Sequence, residues 1–107
     1  MKPIDLENAI LAVMQRGSLA GQRGATIEEL HRRVSPVGSG VSWRLVANAI
    51  YRLERQGLVH IIGDELRGDT SIPKFSLAPA GELEARRVTS LDPAMGMPPK
   101  AAKAGEP

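Results

Sequence analysis

The chain of 107 residues contains no cysteine and very few aromatic residues, which are Trp43, Tyr51 and Phe75. Without cysteine the protein has neither disulfide bonds nor thiolate metal ligands. The two histidines, His31 and His60, lie too far apart in sequence to indicate a metal site. No stretch approaches the roughly 20 apolar residues of a membrane span. We therefore expect a cytoplasmic protein with no metal, no cofactor and no membrane contact.

Residues typical of catalysis are also scarce. No histidine stands in the sequence context of an activated nucleophile, and the glycine-rich turns lack the Gly-Lys-Ser/Thr ending of a phosphate-binding loop. The carboxylates of the predicted helices have basic neighbours and are interpreted as solvated surface charges: Glu28, Glu29, Glu82 and Glu84. We predict that the protein is not an enzyme and has no catalytic residues.

The charge balance is mildly basic, with a formal net charge of +2 and a pI of about 9.4. Ten arginines stand against four lysines. The planar fork of arginine suits phosphate and guanine recognition. A GC-rich genome would favour arginine as well, so composition leaves both explanations open.

Two helices are predicted in the first third of the chain. Apolar residues at helical spacing predict the first helix over 5–15, with Asp5 as its N-cap and Gly17 as its end. The second helix has the strongest start signal, because Thr26 followed by Glu29 fits a capping box. Pro36 stops this helix, and a turn over 35–40 follows.

The third helix is predicted over 42–56, with Ser42 as N-cap and Gly57 as the left-handed residue after its end. Placing residues at 100° intervals separates two faces. The apolar face comprises Leu45, Val46, Ala49, Ile50 and Leu53. The opposite face is a stripe of hydrogen-bonding residues without an acid: Arg44, Asn48, Tyr51 and Arg55.

The last third predicts two strands, a helix and a tail. Residues 58–62 are rich in β-branched side chains and 74–78 alternate polar with apolar, so both segments are predicted strands, joined by a loop over 63–73. A short helix is predicted over 79–88. The segment 92–107 is rich in proline and alanine and is predicted to be disordered. The expected organisation is one domain over 1–91 and a disordered tail over 92–107.

Two segments resemble known regulators. Residues 49–59, AIYRLERQGLV, resemble the LxxLExxGLV segment of bacterial PadR-like and MarR-like transcriptional regulators. Residues 75–83, FSLAPAGEL, resemble their Y-x-L-T-x-x-G segment, with Phe75 in place of tyrosine and Ala78 in place of threonine. The resemblance covers roughly positions 5–90. It implies a mainly helical α+β fold, a winged helix-turn-helix with a three-helix core, a two-stranded β-hairpin wing and a short C-terminal helix.

The resemblance also implies a function. A winged helix lays its third helix in the major groove, where arginine pairs with guanine and asparagine with adenine. We therefore expect sequence-specific binding of double-stranded DNA by a bacterial transcriptional regulator, a homodimer that is associated with the nucleoid when bound. The predicted DNA-contacting residues are Ser42, Arg44, Asn48, Tyr51, Arg52, Arg55 and Arg67.

Two alternatives stay open. The same scaffold can act as a protein–protein interaction module without DNA readout, and the acidic residues of the wing, Asp64, Glu65 and Asp69, favour that interpretation. The stripe on the third helix can also be an ordinary solvated face, although its lack of acids favours DNA binding. The sequence does not reveal the operator, any effector, or whether the protein represses or activates.

Overall fold

The structure, a computed structural model, describes residues 3–34 and 40–91. The elements follow in the order α1 (Pro3–Leu19), α2 (Ile27–Val34), α3 (Trp43–Arg55), β1 (Val59–Arg67), β2 (Thr70–Leu77) and α4 (Pro79–Leu91). The described chain is thus mainly helical, with four helices and a two-stranded antiparallel sheet. This arrangement is compatible with a winged-helix-like fold. The predicted turn over 35–39 and the predicted tail over 92–107 lie outside the described residues.

The core is aliphatic except for one ring, that of Phe75. Phe75, Ile10, Leu30 and Ile50 are fully buried, and each comes from a different element. Burying a large apolar side chain contributes about 1.5–3 kcal/mol relative to leaving it in water. The three helices before the hairpin and the base of the hairpin are therefore held together around one common centre.

Helix α2 begins as predicted, and the capping box is confirmed. The backbone N–H of Thr26 donates to Oε1 of Glu29 over 2.9 Å, and the N–H of Glu29 donates to Oγ1 of Thr26 over 3.2 Å. The bond from Thr26 N–H stabilises the carboxylate and holds the pKa of Glu29 below its ordinary value. Thr26 itself is completely buried. The cap therefore lies inside the packed domain.

The predicted bounds of α1 are wrong at both ends. The helix begins at Pro3, so Asp5 lies in its first turn, and it continues through Gly17 to Leu19. The chain then reverses with Gly21 at a φ of +89°, a left-handed conformation that glycine adopts without strain. Helix α4 also extends further than predicted, from Pro79 to Leu91.

The predicted loop between the strands is wrong as well. Residues 63–67 and 70–73 continue the two strands, which pair from Val59↔Leu77 to Arg67↔Thr70 and leave only Gly68 and Asp69 in the turn. Gly68 has a φ of +60°, as two-residue hairpin turns require. A bulge between Ile61 and Gly63 interrupts the register. The hairpin is therefore a long two-stranded ribbon.

An isolated β-bridge is formed by Ala25, in the segment between α1 and α2. Ala25 pairs with Phe75 through two backbone hydrogen bonds of 2.8 Å, one from each N–H. Because β1 pairs with the other side of β2, the base of β2 is held from both sides. The sequence does not predict this bridge, which ties the start of α2 to the hairpin.

The two segments that resemble the regulators contact each other. The N–H of Ala78 donates to the carbonyl oxygen of Leu58 over 2.9 Å. Gly81 is buried, and a methyl group added there would lie 1.7 Å from that same oxygen. The first turn of α4 therefore packs directly on the backbone that joins α3 to β1, which explains why a glycine stands at position 81.

Candidate nucleic-acid interface

Helix α3 is defined at both ends by the residues that the sequence indicates. Oγ of Ser42 accepts a hydrogen bond from the N–H of Leu45 over 3.2 Å, so Ser42 is the N-cap. At the other end Gln56 is the C-cap, and Gly57 follows with a φ of +77°. The predicted span of this helix is confirmed. Since the hydroxyl of Ser42 is used in the cap, its capacity to accept from a ligand is reduced.

The exposed side of α3 is the predicted polar stripe. Val46, Ala49, Ile50 and Leu53 are buried, as is Ala47. The residues of the outer row are all exposed: Arg44, Asn48, Tyr51 and Arg55. We call these four residues the outer row. It contains no acidic residue, and Glu54 lies to one side of it.

The polar members of the outer row are free to bind a ligand. Within residues 3–34 and 40–91, Arg44, Asn48 and Arg55 have no side-chain hydrogen bond or ion pair. Tyr51 is different, because its ring packs edge-on against Phe75 with the centroids 5.5 Å apart. Tyr51 is 38% exposed and connects the outer row to the base of the hairpin.

Arg52, also in the predicted set, does not belong to the outer row. Its Nε donates to Oε2 of Glu7 in α1 over 2.8 Å. Glu7 is buried, with only 10% of its side chain exposed, whereas the Arg52 side chain is 35% exposed. A buried carboxylate left without its partner is strongly destabilising. The structure therefore gives Arg52 a role in fixing α3 against α1.

Arg67, the remaining predicted contact, lies at the end of the hairpin and is not part of the outer row. Its guanidinium bonds to Glu28 at the start of α2, and its Nε donates to Glu65 over 2.9 Å. The bond to Glu28 is the main reason that the pKa of Arg67 is raised. Its positive charge is thus balanced by two carboxylates, while Asp64 and Asp69 make the rest of the ribbon acidic.

A contact that the sequence did not indicate sets the start of α3. Nε2 of His31 in α2 lies 2.9 Å from the carbonyl oxygen of Val41, the residue before the N-cap Ser42. A carbonyl only accepts, so Nε2 must carry the proton and donate. This bond joins the second and third helices directly beside the first turn of α3. No sequence pattern singles it out, because the two residues come from different elements.

The prediction that Leu45 belongs to the buried apolar face is wrong. Leu45 is 50% exposed, although the 100° spacing places it beside the core. Trp43, the first residue of the helix, is 54% exposed. The first three residues of α3 therefore extend past the packed core, and the side chains of Trp43 and Leu45 contact water.

Comparison with protein-family models, with curated proteins and with solved structures finds no match. Within the described parts of the chain, no helix is both long and apolar enough to cross a membrane. The described residues also contain no group of three or more histidine or acidic side chains arranged to hold a metal ion. What the site can do must accordingly be argued from its own geometry and charge.

Proposed function

We propose that this protein binds double-stranded DNA sequence-specifically, laying α3 in the major groove, and acts as a bacterial transcriptional regulator. The observation that carries the proposal is the outer row, which is exposed, free of acids and contains unpaired Arg44, Asn48 and Arg55. A protein surface that only faces solvent has no reason to exclude acids over about three turns of helix. DNA, with one negative charge for every 1.7 Å of its axis, does favour such a surface.

The dimensions of α3 suit this role. Arg44 and Arg55 are separated by eleven residues, or roughly 16 Å along a helix. That length covers about five base pairs at 3.4 Å each. Arg44 and Asn48 lie in the first two turns, where recognition helices meet base edges. Arg55 lies in the last turn, where the groove curves away and phosphates come closer.

Two contacts support α3 as a rigid unit. The Arg52–Glu7 pair holds its last turn against α1, and the His31–Val41 hydrogen bond holds its start against α2. A helix that reads base edges needs such support, because misplacement by about 1 Å weakens several hydrogen bonds at once. The support lies on the sides of α3 and leaves the outer row uncovered.

The hairpin has a smaller part in this proposal than a wing often has. Arg67 is engaged by Glu28 and Glu65, and three acids stand against two basic residues along the ribbon. Close approach of this ribbon to phosphates would be repulsive. We therefore assign DNA contact to α3 and only an accessory role to Arg67. To bind a DNA phosphate, Arg67 must first release Glu28 or Glu65.

A protein–protein interaction module is the second candidate function. The observation that favours it is the ribbon, where Leu66 is 76% exposed between Glu65 and Arg67, and which carries more acidic than basic residues. In that case partner binding would depend on the hairpin, and substitutions in the outer row would have no effect. The two functions thus predict opposite results for the same variants.

The test compares Arg44→Ala and Arg55→Ala by fluorescence polarisation, with a selected duplex and a random one at about 50 and 200 mM salt. Losing a bidentate base contact costs about 1–3 kcal/mol, so Arg44→Ala should lower affinity for the selected duplex far more than for the random one. Arg55→Ala should weaken both alike and reduce the salt slope by about one. Arg86→Ala, an exposed arginine on α4, is the matched control. Folded variants that bind like the wild type would contradict the proposal.

A homodimer on a pseudo-palindromic site completes the proposal, because operator symmetry mirrors protein symmetry in helix-turn-helix regulators. Sedimentation at micromolar concentration should give twice the chain mass. A strict monomer that still binds DNA would refute the dimer and leave DNA binding intact. The proposal places the protein in the cytoplasm, on the nucleoid when bound.

A further inference from the structure

The first three residues of α3 are all exposed. Trp43, Arg44 and Leu45 are all exposed, and the buried residues of the helix begin only at Val46. Consecutive helical residues lie 100° apart, so Trp43 and Leu45 flank Arg44 on its two sides. Two apolar side chains thus stand on either side of the arginine that leads the outer row.

A ligand that binds the start of α3 must complement both the positive charge of Arg44 and the apolar side chains of Trp43 and Leu45. The turn contains no acid, and the row that continues from it contains Arg44 and Arg55 without partners, so the charge is complementary to a polyanion. Trp43 and Leu45, at 54% and 50% exposure, call for apolar contacts in the same place. The major groove combines these features, because phosphates line its edges and the C5-methyl group of thymine is the apolar group on its floor.

We propose that Trp43 and Leu45 are specificity-determining residues that pack on thymine methyl groups flanking the base pair contacted by Arg44. The inference rests on the proposed function and adds to it the kind of sequence that is read. It predicts a site in which the guanine paired with Arg44 has thymine within one or two steps on either side. Polar readout and methyl readout then come from one turn of helix.

The experiment uses the full chain and a duplex selected by the wild-type protein from a random pool. Replacing individual thymines of that duplex by uracil removes only the methyl group. At contacted positions affinity should fall about fourfold per methyl. Trp43→Ala should lower affinity about five- to tenfold and abolish the uracil effect on its side of the site. Trp43→Phe should retain most of the affinity.

Two controls separate this inference from folding and from the proposed function. Leu83→Ala removes an exposed leucine of α4, so it should leave DNA binding unchanged. Thermal melting should show all variants folded, because the removed side chains are exposed. Trp43 is the only tryptophan, so its fluorescence should also change on binding the selected duplex and less on binding a uracil-substituted one.

The outcomes are distinguishable. A selected site without thymine near the guanine, or uracil substitution without effect while Arg44→Ala still abolishes selectivity, would overturn the inference and leave DNA binding standing. Failure of the wild-type protein to select any duplex would overturn both the inference and the proposed function. Loss of affinity at individual uracil positions, removed by Trp43→Ala or Leu45→Ala, would support it.

Discussion

Replacing Gly81 by alanine tests the packing of α4 more sharply than any other single change. The added methyl group would lie 1.7 Å from the carbonyl oxygen of Leu58 and 2.7 Å from its carbon. Ordinary contact between carbon and oxygen needs about 3.3 Å, so two backbone segments must separate by more than 1 Å. That movement breaks the 2.9 Å hydrogen bond from Ala78 to Leu58.

The magnitude follows from opposing effects. Overpacking in a close-packed region costs about 1–3 kcal/mol, and loss of the backbone hydrogen bond costs roughly 1 kcal/mol more. Alanine is favoured over glycine within a helix by about 1 kcal/mol, and this gain in stability offsets part of the cost. We therefore expect Gly81→Ala to lower the free energy of unfolding by about 1–3 kcal/mol. In a domain of this size each kcal/mol corresponds to roughly 4–8 °C in Tm.

Gly17→Ala is the matched control, because Gly17 is also buried in a helix. There the methyl group would meet the far end of the Gln22 side chain, with Oε1 at 2.7 Å, rather than backbone. Gln22 is exposed and can rotate away. This variant should be neutral or more stable by up to about 1 kcal/mol. Urea unfolding followed by circular dichroism measures both, and a Gly81→Ala variant as stable as Gly17→Ala would refute the packing argument.

Three further predictions concern the second helix. Thr26→Ala should lower the free energy of unfolding by about 0.5–2 kcal/mol in urea denaturation, and a neutral result would contradict the capping role. Folding lowers the pKa of Glu29. The ionised carboxylate therefore contributes its full stabilisation above pH 4.5, and this stabilisation is lost as the pH falls through the lowered pKa of the folded state. Glu29→Gln should weaken this dependence of Tm on acid pH in melting curves. His31→Leu, which cannot donate to Val41, should reduce hydrogen-exchange protection at the start of α3, whereas His31→Gln should preserve it; equal protection in both variants would remove His31 from that role.

Local sequence determined the elements whose signals are complete within a few residues. The capping box of Thr26 and Glu29 fixes the start of α2, because both hydrogen bonds join residues three apart. Ser42 and Gly57 bound α3 in the same way. The outer row also follows from sequence, since helical periodicity alone decides which residues lie opposite Val46 and Ile50. These features need no knowledge of the rest of the chain.

Tertiary structure decided the features that depend on distant partners. Glycine and proline between 63 and 73 predicted a loop, but strands of that length stabilise each other by pairing, so only Gly68 and Asp69 remain in the turn. Leu45 fits the apolar periodicity, yet it is 50% exposed because the packed core reaches α3 only from Val46 onward.

The same holds for single side chains. Arg52 was included among the predicted DNA-contacting residues because its ion-pair partner Glu7 is 45 residues away and no local pattern indicates the pair. Gly81 could be recognised as part of a motif, but its reason is the carbonyl oxygen of Leu58, which approaches only after α4 folds back onto the end of α3. Periodicity and caps act over one or two turns of helix, whereas burial and ion pairing depend on which surfaces the folded chain brings together.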